Sequence, residues 1–352
     1  VTAILDRLVP LIAEHGPIGV DRYMAICLAD PDAGYYRIRD PLGVAGDFVT
    51  APEISQIFGE IIGAWLAERW GAMGRPDPVH LVELGPGRGT LMGDILRILG
   101  LVPGCLPAIR LHLVETSPAL RQRQRDALPA DPAPCWHETL EAVPDGPMLL
   151  VANEFFDALP IRQAILAGGV WRERMVGIDP EGALTFVAET EIAVEFPAHD
   201  LPEGSIVEIA EVAASVAGVI GDRLSRYPGA ALVIDYGHLS SAVGETLQAV
   251  RAHRFAPVLA DPGEADLSAH VDFAALARAL APAEIWGPVT QGAFLVANGA
   301  ALREAALCRG QTPEAAAAIR RDIRRLLDPA AMGRLFKVLA ATSPGLTRPA
   351  GF

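Results

Sequence analysis

Apolar positions along this chain recur with two periods. Leu5, Leu8, Leu11 and Ile12 lie on one helical face, Tyr23, Ile26 and Cys27 share another, and Ile54, Ile57, Phe58, Ile61, Ile62 and Trp65 form a longer stripe at helical spacing. Thr50-Ala51-Pro52-Glu53, just ahead of that stripe, has the form of a capping box, which makes Glu53 a helix cap. Elsewhere the apolar residues come in short runs. Val79, Leu81, Val82 and Leu84 form one, Ile109, Leu111 and Leu113 alternate with Arg110 and His112 in a second, and Met148 to Ala152 and Ala231 to Ile234 are continuous, as expected of parallel strands covered on both faces. Trp171 to Ile178 and Ala183 to Ala188 flank the turn Asp179-Pro180-Glu181-Gly182 and predict an antiparallel hairpin.

Alternation of helix and strand over the middle of the chain predicts an α/β fold with a mostly parallel sheet. At 352 residues the chain exceeds the size at which one hydrophobic core stops growing, so a core with additions is expected. The pattern divides it into an N-terminal helical region (1–78), an α/β core (79–166 and 229–299), an inserted subdomain around the hairpin (167–228) and an Ala- and Arg-rich helical segment (300–352).

The densest chemistry lies in VHLVELGPGRGTLMGDILRIL, Val79 to Leu99, a strand, a glycine-rich turn and a helix in succession. Gly85, Gly87 and Gly89 follow a spacing one residue shorter than the dinucleotide fingerprint G-x-G-x-x-G. Glu83 precedes the turn, where a carboxylate repels a pyrophosphate and suits a cation. This E-x-G-x-G-x-G pattern resembles motif I of the class I S-adenosylmethionine-dependent methyltransferases, whose cofactor carries an amino acid and a sulfonium. Glu115 ends the second strand, where a carboxylate either accepts hydrogen bonds from both ribose hydroxyls or supports the start of the next helix.

Ligands of open α/β sheets bind at the carboxyl ends of the strands. After the Met148 run comes Asn153-Glu154-Phe155-Phe156-Asp157-Ala158-Leu159-Pro160, and after the Ala231 run comes Asp235-Tyr236-Gly237. Glu154, Asp157, Asp235 and Tyr236 are therefore the candidate catalytic residues, with Phe155 as a further aromatic wall. Each also has a structural reading: Asp157 as a helix cap, Phe155 and Phe156 as core, Asp235 as a holder of a loop amide.

Composition narrows the classes. A net charge of −14 disfavours a general grip on nucleic acid. No apolar run reaches the roughly 18 residues needed to span a bilayer, and no signal segment opens the chain, which predicts a soluble intracellular protein. Cys27, Cys105, Cys135 and Cys308 contain no C-x-x-C pair and read as reduced thiols, and the eight histidines show no close metal-site spacing, so no metal is expected. There is no G-x-S-x-G, so hydrolysis is unsupported. Lys337 is the only lysine among 29 Lys and Arg residues.

Gly46-Asp47-Phe48-Val49-Thr50-Ala51-Pro52-Glu53-Ile54-Ser55-Gln56-Ile57-Phe58-Gly59-Glu60, the Glu83 to Leu91 motif, Asn153 to Pro160, Asp235-Tyr236-Gly237-His238 and Asp266-Leu267-Ser268-Ala269-His270-Val271-Asp272-Phe273 together resemble the MidA-type family. The resemblance runs from Gly16 to about Phe336. It implies a class I methyltransferase fold, S-adenosyl-L-methionine as cofactor, and transfer of methyl to a protein arginine. In the mitochondrial members the substrate is a complex I core subunit, giving symmetric dimethylarginine, and the activity supports complex assembly. Glu83, Gly85, Gly87, Gly89, Glu115 and Asn153 would then hold the cofactor, Asp47 and Phe48 would close over it, and His270 would be a substrate contact. The mitochondrial members carry an N-terminal targeting extension that this sequence lacks, as in a bacterial cytoplasmic protein or a trimmed matrix protein. A small-molecule or lipid methyltransferase and a non-catalytic cofactor-binding assembly factor remain alternatives on the same fold.

Overall fold

The computed structural model describes residues 2–38 and 50–352. Among these, contacts gather into two compact units, one from residues 2–38, 157–215 and 240–272, the other from residues 50–156, 216–239 and 273–352.

The second unit is built on a sheet whose strands, in chain order, are β1 Val79–Leu84, β2 Ile109–Val114, β3 Cys135–His137, β4 Met148–Asn153, β5 Gly229–His238, β6 Glu284–Thr290 and β7 Phe336–Thr342. Their order across the sheet is β6-β7-β5-β4-β1-β2-β3. Strands β3, β2, β1, β4 and β5 run parallel, and β7 and β6 pair antiparallel at the other side. The chain winds outward from β1 to β3, then returns to the other side of β1 through β4. That reversal between β1 and β4 is the topological switch point, where the flanking connections diverge and leave a crevice. Strands β1, β4 and β7 are buried along their whole length; β4 accordingly reads as a continuous apolar run, whereas β1 also buries His80 and Glu83 and β7 buries Lys337.

The predicted mostly parallel sheet is therefore present, with two local departures. The helical stripe after residue 50 is broken: Ala51–Ile54 is a single turn, Ser55 is extended, and a new helix runs Gln56–Ala72. The capping box does not form. Thr50 makes no side-chain cap, Ser55 Oγ accepts the Ile57 N–H instead at 3.3 Å, and Glu53 accepts from the Thr90 hydroxyl. Gly59 of this helix faces Asp94 and Gly63 faces Ile95 so closely that a Cβ at Gly59 would stand 2.5 Å from that of Asp94, which lets Gln56–Ala72 lie hard against Thr90–Leu99.

The second departure is β7. The C-terminal segment expected to be helical has helices at Ala300–Cys308 and Pro313–Leu327, but Phe336–Thr342 inserts as a strand between β5 and β6. Lys337 lies on this strand, 7% exposed, with Nζ donating to the carbonyls of Gly237 (3.0 Å), Arg334 (2.7 Å) and Leu335 (2.8 Å).

In the first unit the predicted hairpin is formed by Val170–Ile178 and Leu184–Glu191, closed by Asp179 and Ala183. It extends into a five-stranded antiparallel sheet with Arg162–Ala167, Ile206–Ile209 and Ile18–Gly19. Leu8, Ile12, Tyr23, Met24 and Cys27 of the N-terminal helices pack into the core of this unit with Val176 and Leu267. No helix among the described residues is long and apolar enough to cross a membrane.

Candidate active site

The glycine turn begins where β1 ends. Gly85, Gly87 and Gly89 have φ of +62°, +52° and +85°, a left-handed conformation that a side chain resists, so the sequence spends three glycines where the backbone turns back on itself. The turn is pinned by Gly85 N–H donating to Val114 O at 3.0 Å and Gly89 N–H donating to Pro86 O at 2.8 Å. A Cβ on Gly85 would come within 3.0 Å of the Phe155 ring, so the second residue after β4 lies directly against the turn after β1. Gly89 caps the helix Thr90–Leu99.

Glu83 sits at the end of β1, 2% exposed, and its Oε2 accepts no hydrogen bond from the described residues. Burial, and then the Glu115 carboxylate, push its carboxyl up to about 8. Glu115 is also raised, by burial, although Ser117 N–H donates to its Oε1 (2.7 Å) and Gln124 Nε2 to its Oε2 (3.3 Å). Glu115 thus supports the start of the helix Pro118–Ala127 with one oxygen, the structural role left open by the sequence, while remaining near Glu83. A buried carboxylate with an unpartnered oxygen is costly unless a cation or donor meets it.

Gln124 is the member of this region that the sequence did not single out. Its Nε2 also donates to Gly87 O at 2.7 Å, and its Oε1 accepts from Trp136 Nε1 at 2.7 Å. One amide therefore ties the glycine turn, Glu115 and β3 together. Nothing in the local pattern marks it, although its position one helix downstream of Glu115 is a place to look. We expect Gln124→Leu to weaken binding of S-adenosyl-homocysteine about tenfold by freeing the Gly87 carbonyl and the Trp136 N–H; calorimetric titration of parent and variant measures it.

Asn153 is the last residue of β4, 8% exposed, with Oδ1 unpartnered among the described residues. Glu154 follows with φ +51°, rare for a residue with a side chain, and its N–H donates to Ile234 O at 2.9 Å. Its Oε1 accepts from Asn153 Nδ2 (3.1 Å) and from Ala51 N–H (3.2 Å) at the head of the turn Ala51–Ile54. Asp235, fully buried in β5 one residue past its last pairing with β4, accepts the Phe156 N–H with Oδ2 (3.0 Å) and the Tyr236 N–H with Oδ1 (2.9 Å). Tyr236 packs edge-on against Phe336.

The second unit thus brings together Glu83, Gly85, Gly87, Gly89, Glu115, Asn153, Glu154, Asp235 and Tyr236. Asp157 belongs to the first unit, where its carbonyl accepts the Ala269 N–H and its charge reaches Tyr36, whose hydroxyl donates to Asp266 at 2.8 Å. Burial and then the Asp266 charge hold that Tyr36 hydroxyl well above its ordinary range. His270, in the same unit, donates its N–H to the Thr246 hydroxyl at 2.8 Å. Asp47 and Phe48, expected to close over the cofactor, lie outside the described residues.

The profile of an S-adenosyl-L-methionine-dependent methyltransferase family matches residues 61–289. The chain belongs to that family. This methyltransferase is 37% identical to the human mitochondrial protein arginine methyltransferase NDUFAF7 over 369 residues, covering 97% of this chain and 83% of the relative. It is 39% identical to the Xenopus laevis protein of the same name, over 86% of this chain and 75% of that one. Among solved structures, a COG1565 superfamily member from Burkholderia thailandensis bound to S-adenosyl-homocysteine superposes with a TM-score of 0.86 at 29% identity, covering 99% of this chain and 94% of that one. The cofactor of the methyltransferase is S-adenosyl-L-methionine. The residues at the switch point fit it: an unpartnered buried carboxylate oxygen on Glu83 for a cationic group, a second acid, Glu115, at the end of the neighbouring strand, and a turn whose three left-handed positions carry no Cβ.

Proposed function

We propose that this chain methylates an arginine side chain of a protein, and that the protein is a core subunit of respiratory complex I. The observation that carries the reading is Glu154. It is an acid at the tip of the strand beside the glycine turn, held on a left-handed backbone and anchored through one oxygen to Ala51 and Asn153. An unusual backbone at such a position points to function, because the surroundings must stabilise it. The names of the relatives, protein arginine methyltransferases, support the same class of acceptor.

S-adenosyl-L-methionine supplies the electrophilic methyl group. The chain's own residues bind and orient. Glu83 meets the amino-acid end of the cofactor, Glu115 the ribose, the Gly85–Gly89 turn gives room for both, and Asn153 adds its unpartnered oxygen. An arginine guanidinium stays charged at ordinary pH and is a poor nucleophile until a carboxylate holds it in a planar fork. Glu154 makes that fork and takes the proton as the new bond forms. Asp235 acts through others: by holding the amides of Phe156 and Tyr236 it fixes the segment that carries Glu154. Holding donor and acceptor in line is worth roughly 7 to 11 kcal/mol of the barrier.

The test is mass spectrometry of complex I core subunits from cells with the gene, without it, and complemented. A methylarginine that vanishes on deletion and returns with the wild-type gene is the expected result. No difference in any subunit, with methyl transfer to a small molecule in extracts, would move the acceptor to that small molecule.

A further inference from the structure

Three histidines far apart in sequence stand in a row on one face of the sheet. His80 on β1 and His112 on β2 meet through Nδ1 and Nε2 at 2.9 Å, and His112 Nδ1 lies 2.9 Å from His137 Nε2 on β3. His112 pairs with Cys135 in the parallel register of β2 and β3, and Cys135 and His137, two residues apart, point to the same side of that strand. One ligand atom each from His112, Cys135 and His137 lies within 4.8 Å of the others.

We propose that His112, Cys135 and His137 form a binding site for a zinc-like divalent ion, with the fourth position open to solvent. Two imidazole nitrogens and a thiolate are a ligand set that a borderline-soft ion takes in tetrahedral geometry, with ligand atoms about 3.3–3.6 Å apart. Cys135 is exposed at the sheet edge, so its side chain can turn to close the remaining distance without disturbing a core. His112 is buried and gives the site a fixed wall.

The proton order along the row fits. His80 donates to the Asp145 carbonyl, and Gly146 lies against its Nε2 with no room for a Cβ beyond 3.0 Å. With that nitrogen protonated, His80 Nδ1 is an acceptor, His112 Nε2 donates to it, and His112 Nδ1 accepts from His137 Nε2; metal binding replaces this last hydrogen bond, the His137 proton moving to its Nδ1 so that Nε2 offers a lone pair. This is the arrangement in which an outer hydrogen bond orients a metal-binding imidazole and raises its basicity.

The sequence held no hint of this because the ligands are 23 and 2 residues apart on two strands. Bound metal would clamp the short edge strand β3 to β2.

The experiment is to strip the reduced full-length protein with a chelator and titrate it with Zn2+ alone against a chromophoric competitor. We expect one Zn2+ per chain, affinity lowered at least tenfold in Cys135→Ser and in His137→Ala, and lowered 10- to 100-fold in His80→Phe. Co2+ in place of Zn2+ should give a thiolate charge-transfer band that Cys135→Ser loses. Thermal unfolding without metal checks that the two edge variants fold like the parent, and added Zn2+ should raise the parent's midpoint and leave that of Cys135→Ser unmoved. No bound Zn2+, or equal binding by Cys135→Ser and His137→Ala, overturns the site.

Discussion

Glu83→Gln is expected to give a protein that is more stable near neutral pH and that has lost its grip on the cofactor. The native carboxyl is pushed up to about 8, against 4.5 ordinarily, by burial and then by Glu115. Between those values the native state holds a proton that the unfolded chain has released, so the unfolded state binds fewer protons and stability falls as pH rises through the window. The loss is absent below about pH 4.5, reaches about 3 kcal/mol at pH 7 and levels off above 8. Glutamine removes the titration while keeping the volume. Urea unfolding of parent and variant at pH 5 and pH 7.5 should therefore show a stability difference that grows by about 3 kcal/mol, in favour of the variant, between the two conditions. The same substitution removes the negative charge proposed to face the cofactor's ammonium, and affinity for S-adenosyl-homocysteine should fall on the order of 10- to 100-fold. In the parent, binding should release a proton and tighten toward pH 8. A variant that keeps both parental affinity and parental pH dependence would place Glu83 away from the amino-acid end.

Glu154→Gln is expected to separate binding from transfer. Glutamine still offers a carbonyl oxygen to the Ala51 and Asn153 donors, so the loop after β4 keeps its shape. It cannot hold a guanidinium by charge or take its proton. Methyl transfer should drop about 10²- to 10⁴-fold, the range typical of losing a positioned general base. Cofactor affinity should stay within about threefold, since the residues proposed to hold it are untouched. Single-turnover transfer to a peptide from the target subunit reads the first quantity and calorimetry the second. Equal loss of both would mean that Glu154 shapes the cofactor site and does not touch the acceptor.

Parts of this architecture were legible in the sequence, for reasons that differ by element. The strand, turn and helix from Val79 to Leu99 are specified locally: an apolar run, three glycines at left-handed positions and a helical stripe need no knowledge of the remainder. The 170–191 hairpin is legible for the same reason, through Asp179-Pro180-Glu181-Gly182. The sequence predicts helix across Phe336–Thr342 because a strand buried on both faces shows no alternation, and its Ala- and Arg-rich neighbours are helix formers. The helix break at Ser55 replaces a capping box that the residues spell correctly, because Glu53 finds Thr90 across the packing interface before it finds its own backbone. The candidate site follows the same division. Glu83, Glu115 and Glu154 could be placed at strand ends by counting, whereas the grip of Gln124 on Gly87 spans 37 residues and the hold of Asp235 on Phe156 spans 79. Such pairings depend on which strands become neighbours. The His112, Cys135 and His137 cluster is the extreme case, since only parallel pairing of β2 and β3 creates it.

The burial of Lys337 turns the protein into its own clock for breathing motions. A chain with a single lysine whose ammonium is enclosed between β5 and the start of β7 offers amine-directed acylating reagents no side-chain target while the sheet stays closed. Labelling at that position then requires the central strand to open, and its rate counts those openings in the way that slow amide exchange does. Immobilisation through lysine amines would select partly unfolded molecules, and a cofactor that stiffens the switch point should slow the labelling in proportion.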